Sequence, residues 1–113
     1  MEIHVTSRKI KVKSEIKEHA ISEVIKLENI FDHIQRCDII FYKDGKIKNT
    51  QVAEIVLRAN GHFLTAKEKS DDMHKSIDMA VEKVEHQLTT YKSKLKSRKK
   101  NIGKKVLKKS DEE

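Results

Sequence analysis

Thr50-Gln51-Val52-Ala53-Glu54-Ile55-Val56-Leu57-Arg58-Ala59, followed by Asn60-Gly61 and then His62-Phe63-Leu64-Thr65-Ala66-Lys67, is the stretch that decides how this chain folds. Ala53, Ile55, Leu57 and Ala59 alternate with Val52, Glu54, Val56 and Arg58, the period of two that marks a strand. Asn-Gly accepts the positive φ that a tight hairpin demands, so residues 62–67 return as a second strand. Upstream, residues 35–43 alternate in the same way. Cys37, Ile39 and Phe41 face one side, and Asp38, Ile40 and Tyr42 face the other. Lys43-Asp44-Gly45-Lys46 supplies the turn between this strand and the next. Three consecutive antiparallel strands follow.

The flanks switch period. Residues 2–7 alternate with Ile3 and Val5 on one face, as a half-buried strand does. Ser14 then offers an N-cap, with Glu15 and Glu18 near the positive end of a helix. Ile16, Ala20, Val24, Leu27 and Phe31 form one apolar stripe, which predicts a helix over about 14–29. On the far side, Ser70, Asp71 and Asp72 provide capping oxygens for a second helix. Met73, Ile77, Ala80, Val84, Leu88, Tyr91 and Leu95 keep helical spacing for more than six turns. The expected order is β-α-β-β-β-α, an α+β domain over residues 1–97 with a four-stranded sheet and two helices packed on one face. The stripe stops near Ser97 and Gly103 interrupts, so residues 98–113 are expected to be a lysine-rich, disordered tail.

With 113 residues, one domain is expected. No stretch approaches the roughly 18 apolar residues that span a bilayer. The start, Met1-Glu2-Ile3-His4-Val5-Thr6-Ser7, lacks the apolar core of a secretory signal, and a cytoplasmic location is expected. Cys37 is the single cysteine, cannot build an internal disulfide, and is expected in the core. The net charge of +7 is unevenly placed. Residues 1–91 hold fifteen Lys/Arg and fifteen Asp/Glu, whereas residues 92–113 hold ten bases against Asp111, Glu112 and Glu113. Such a block is either a solvated tail or a phosphate-binding arm.

No catalytic or metal signature accompanies these elements. The six histidines lack ligand spacing, and His74 and His86 are expected to have plain surface roles. The three glycines are isolated, so no phosphate-cradling loop exists. The expectation is a non-enzyme without cofactor or metal. One flank of the second helix, Ser76, Lys83, Gln87, Thr90 and Lys94, carries no acid. The opposite flank sets Asp78 and Glu85 beside Lys92 and Lys96. Lys26 lies opposite the buried stripe of the first helix with His19 and Ser22. Arg8, Lys9, Lys11 and Lys13 form a second basic group, uninterrupted by acid. Such strips suit RNA phosphates and 2′-hydroxyls, although a solvated helix face has the same pattern. Tyr42 and Tyr91 are the plausible exposed aromatics, too few to favour base stacking.

Several stretches together resemble the ribosome hibernation-promoting factor family, also called ribosome-associated inhibitor A or sigma-54 modulation protein. They are Ile3-x-Val5-Thr6-Ser7-Arg8, Ile16-Lys17-Glu18-His19, Lys26 to Ile34, and Asp72-Met73-His74-Lys75-Ser76-Ile77-Asp78. The last continues through Lys83-Val84-Glu85-His86-Gln87-Leu88 to Tyr91-Lys92-Ser93-Lys94. The resemblance covers roughly residues 1–96. It implies a fold similar in layout to double-stranded-RNA-binding domains. It also implies a partner, the small ribosomal subunit and its rRNA near the decoding centre, where tRNA and mRNA sites would be blocked in stationary phase or stress. By motif position it assigns RNA contacts to Lys26, Lys83, Gln87, Lys92 and Lys94, and also to Arg8 and Lys9. The protein is then expected to be cytoplasmic and ribosome-associated, without membrane contact and monomeric off the ribosome. Two departures stand out. His86 occupies a position where family members often place arginine. The long form carries a C-terminal dimerisation domain where this chain has only its lysine-rich tail, so ribosome dimerisation driven by this chain itself is not expected.

Overall fold

A computed structural model describes the backbone of residues 1–45 and 50–102, with their side chains through Leu95. The order is β1 (Glu2–Ser7), α1 (Ser14–Ile25), a 3-10 turn (Lys26–Asn29), β2 (Ile34–Asp44), β3 (Thr50–Ala59), β4 (His62–Ser70) and α2 (Met73–Ile102). The sheet runs β1-β2-β3-β4, with β1 parallel to β2 and the other pairs antiparallel. The parallel pair is what a crossover through α1 produces, because a hairpin cannot join parallel strands. This is the expected β-α-β-β-β-α domain.

Register explains the core. Cys37 pairs with Leu57, Ile39 with Ile55 and Phe41 with Ala53, while Leu57 continues to Leu64 and Ile55 to Ala66. These side chains share one face, and both helices bury their stripes there: Ala20, Val24 and Leu27 from the first helical segment, Ile77, Ala80, Val84 and Leu88 from α2. The hairpin between β3 and β4 turns on Asn60 (φ 54°) and Gly61 (φ 82°), both left-handed, and pairs Ala59 with His62. That conformation is why Asn-Gly stands there.

Cys37 is fully buried, as its place in the alternation predicts. Burial pushes its thiol pKa up to about 12, with Asp38 acting in the same direction. A thiolate is the reactive form. Cys37 should therefore resist a thiol reagent at neutral pH in the native protein and react fully in denaturant. Ready native labelling would mean that β2 opens locally.

Several boundaries differ from expectation. Ser14 is not the N-cap of α1. Lys13 holds that position in extended conformation, makes no side-chain cap, and its carbonyl accepts from Ile16 and Lys17. The 14–29 helix is two pieces, since after Ile25 the chain tightens into the 3-10 turn and the Leu27 carbonyl accepts from both Ile30 and Phe31. Such tightening satisfies terminal carbonyls without a glycine cap. Asp44 pairs with Thr50, so the β2–β3 connection is longer than a two-residue turn; its residues 46–49 lie outside the described part. β4 runs to Ser70 rather than Lys67. Asp72 caps α2, its Oδ1 accepting from the His74 amide at 3.3 Å. The helix continues to Ile102, and most of the expected tail, residues 103–113, lies outside the described residues.

Candidate nucleic-acid interface

The flank of α2 chosen for its lack of acid lies along β4, and the sheet edge changes its character. Ser76 is fully buried. Its hydroxyl donates to the Gln51 carbonyl at 2.7 Å and lies 2.8 Å from Ser70 Oγ, tying the helix to β3 and β4. Ser76 is therefore unavailable to RNA. Lys83 forms an ion pair with Glu68 of β4; the lysine side chain is 64% exposed and the glutamate 14%. The strip is acid-free along the helix but not in space. Glu68 pairs with Ala53 across the ladder and so points to the helix side. Gln87 Nε2 donates to the Thr65 carbonyl at 2.7 Å. It thereby covers a backbone acceptor on an edge strand, a place where unpaired backbone invites another chain. Thr90 and Lys94 are exposed, Lys92 is half-exposed, and Lys94 makes no ion pair among the described residues. Leu64, His86, Gln87, Thr90, Tyr91 and Lys94 line a shallow hollow here.

Lys26 begins the 3-10 turn on the helical side of the molecule. Its ammonium lies 2.9 Å from Glu23 Oε2. That hydrogen bond and the glutamate's charge raise its pKa above the ordinary lysine value, and Asp78 of α2 adds to the effect. Asp78 has partners of its own. His19 Nε2 lies 2.7 Å from its Oδ1, and His74 Nδ1 lies 3.6 Å from its Oδ2. The His19 and His74 rings stack, with centroids 3.7 Å apart. This cluster joins α1 to α2 and connects residues up to 59 positions apart, which no spacing rule could find.

Arg8 and Lys9 go elsewhere. The Arg8 amide extends the β1–β2 pairing by donating to the Phe41 carbonyl at 2.9 Å. Its guanidinium sits 5.6 Å from the centroid of the Tyr42 ring. Tyr42 follows the inward-facing Phe41, so this contact is on the sheet face that the helices leave open. Lys9 takes a left-handed φ of 57° and turns the chain toward α1. Lys9, Lys11, Lys13 and Lys43 gather with Asp71 and Asp72 around a hollow at the start of α2. The seven expected contacts thus fall into separate groups. Lys83, Gln87, Lys92 and Lys94 lie on α2, Lys26 at the end of α1, Lys9 at one end of the molecule, and Arg8 behind the sheet.

The two tyrosines are not free platforms. Tyr91 is half-buried, with Phe31 at 5.6 Å, His62 at 5.3 Å and a hydrogen bond from Asn60 to its phenol oxygen. Tyr42 is shared between Arg8 and Lys67, and its hydrogen bond raises the lysine's pKa. Among the described residues, Phe63 is an exposed aromatic, at 65%, with Arg58 5.6 Å from its ring centroid. That pair was accessible to sequence reasoning, because the Asn60-Gly61 turn sets Arg58 opposite Phe63.

A helix pair on one face of a four-stranded sheet, with lysines along the helical layer, makes a small α+β domain. No described helix is long and apolar enough to cross a membrane. The chain belongs to the family described as sigma 54 modulation protein / S30EA ribosomal protein, whose model matches residues 3–96. It is 30% identical over 96 residues to a ribosome hibernation promoting factor of Klebsiella oxytoca, covering 85% of this chain and 98% of that one. A ribosome hibernation promotion factor of Bacillus subtilis is 28% identical over 99 residues, covering 84% of this chain but 50% of the relative. Among solved structures, a ribosomal subunit interface protein from Coxiella burnetii superposes with a TM-score of 0.70 at 27% identity, covering 82% of this chain and 99% of that one. The N-terminal domain of Thermus thermophilus Protein Y shares the fold, with a TM-score of 0.71 at 22% identity, over 80% of this chain and 99% of that one.

Proposed function

We propose that this protein is a ribosome hibernation factor. It binds rRNA of the small subunit near the decoding centre, occupies the places of tRNA and mRNA, and holds translation off in stationary phase or stress. The observation that carries this reading is the family match across residues 3–96, together with relatives named for ribosome hibernation. The chemistry is that of a binding protein, with no catalytic step. Lys26, Lys83, Lys92 and Lys94 would meet phosphates, with Lys9 and Arg8 as outlying contacts, and Gln87 would offer its amide oxygen while its nitrogen holds Thr65. Glu23 and Glu68 neutralise Lys26 and Lys83 in the free protein. Ion pairs between exposed groups are weak, so a phosphate that also releases counterions can displace the carboxylates. The protein would be cytoplasmic through its association with ribosomes.

A second reading follows from where the positive charge lies. All of the +7 excess falls in residues 92–113, so a general RNA- or DNA-binder could work mainly through that segment. Deleting residues 97–113 separates the two. Cosedimentation with ribosomes should keep substantial binding if the domain recognises its site, and should lose nearly all of it if the lysine-rich segment is the binder. A full-length protein that stays at the top of a low-salt gradient would refute both.

A further inference from the structure

His19, His74 and Asp78 are assigned no contact in the ribosome-binding reading, although Asp78 acts on the nearby Lys26. His74 and Asp78 are one turn apart on α2 and present their side chains to the same side. His19 comes from α1 and stacks on His74 at an interplanar angle of 19°. Each residue offers one ligand-type atom, and these atoms all lie within 4.8 Å of one another. We propose that this cluster is a binding site for a divalent first-row transition ion, for which Zn²⁺ is the probe, held by His19 Nε2, His74 Nδ1 and the Asp78 carboxylate.

Three arguments support the assignment. Tetrahedral Zn²⁺ keeps its ligands about 2.0–2.2 Å away, which places them about 3.4 Å from one another. His19 Nε2 and Asp78 Oδ1 are already inside that spacing at 2.7 Å, and His74 Nδ1 is 3.6 Å from the other oxygen. Coordination requires the two stacked imidazoles to rotate out of parallel so that both in-plane lone pairs meet at one point, a rotamer change open to side chains that are 23%, 49% and 51% exposed. Second, two imidazole nitrogens and one carboxylate form a donor set for Zn²⁺, Ni²⁺, Co²⁺ or Cu²⁺, whereas Mg²⁺ and Ca²⁺ select oxygen. Third, three protein ligands at a partly exposed site leave the fourth position open to water or another outside ligand. An ion here would clamp α1 to α2 and add two positive charges close to Lys26, whose ammonium already senses Asp78.

The site is tested on the free, full-length protein, so its outcome is independent of ribosome binding. After chelator treatment, calorimetric titration with ZnCl2 should give one ion per chain, and MgCl2 should give no heat. His74→Ala and Asp78→Asn should each weaken Zn²⁺ binding by about a hundredfold or more, because losing an outer-shell partner alone already costs about 10–100-fold. His86→Ala, outside the cluster, should bind as the wild type does. At about ten times Kd, Zn²⁺ should raise Tm by roughly 5 °C, and that rise should vanish in both cluster variants. Asp78→Asn keeps the shape and a hydrogen-bond acceptor, and circular dichroism checks that it folds. His19→Gln supplies the independent test from the other helix. No Zn²⁺ binding by the wild type, or binding that the His74, Asp78 and His19 variants leave undiminished, would overturn the proposal.

Discussion

Lys83→Glu combined with Lys94→Glu should weaken ribosome binding by roughly a hundredfold at moderate salt, because each lysine that meets a phosphate contributes about one unit to the salt slope. The slope of log affinity against log salt should flatten by about two in the same variant. Lys94 is exposed and makes no ion pair among the described residues, so its reversal removes one contact without disturbing the fold. Lys83 is different, since its replacement sets a carboxylate beside the mostly buried Glu68. Lys83→Ala should therefore accompany it, removing the cation without adding repulsion. Glu68→Gln makes the sharper companion. If Glu68 competes with phosphate for Lys83, this variant should bind ribosomes a few-fold more tightly. Cosedimentation across a salt series gives all four answers, and unchanged binding in the double variant would remove the α2 flank from the interface.

The two phenylalanines at positions 41 and 63 should differ most in stability. Phe41 is fully buried on β2, opposite Ser7 of β1 and Ala53 of β3. Phe41→Ala removes a large side chain that its neighbours cannot replace, at a cost of about 3–5 kcal/mol. Against a typical domain stability of about 5–15 kcal/mol, that is enough to unfold a large share of molecules on modest warming. Phe63 is 65% exposed, so Phe63→Ala should change stability by no more than about 0.5 kcal/mol. Urea titrations with an unchanged m-value would separate the two by midpoint alone. A small effect at Phe41 would mean that the β2 register is wrong.

Much of the architecture was legible in the residues. The alternation from Cys37 to Phe41 and from Ala53 to Ala59 named inward-facing side chains that are buried in the fold, and Asn60-Gly61 named the hairpin. The stripes of both helices were equally plain, apart from the partly buried Ile16, Tyr91 and Leu95 at their margins. Less was legible at the candidate interface. Ser76 read as a member of a polar strip, yet it is buried because the end of β4 and Gln51 offer its hydroxyl two partners. The strip's freedom from acid was true of α2 and false of the surface, since Glu68 arrives from another element. Arg8 read as a neighbour of Lys9, but the left-handed turn at Lys9 leaves the two on different sides of the sheet edge.

The order of elements, the inward-facing residues and the basic C-terminal segment were written into the chain itself, because periodicity and charge are local and can be read one residue after another. Which lysine is neutralised, which glutamine holds an edge strand, and which histidines meet an aspartate were settled by folding. Those facts depend on side chains brought from distant positions to within a few ångströms, as His19 is to Asp78, and such distances have no counterpart along the chain.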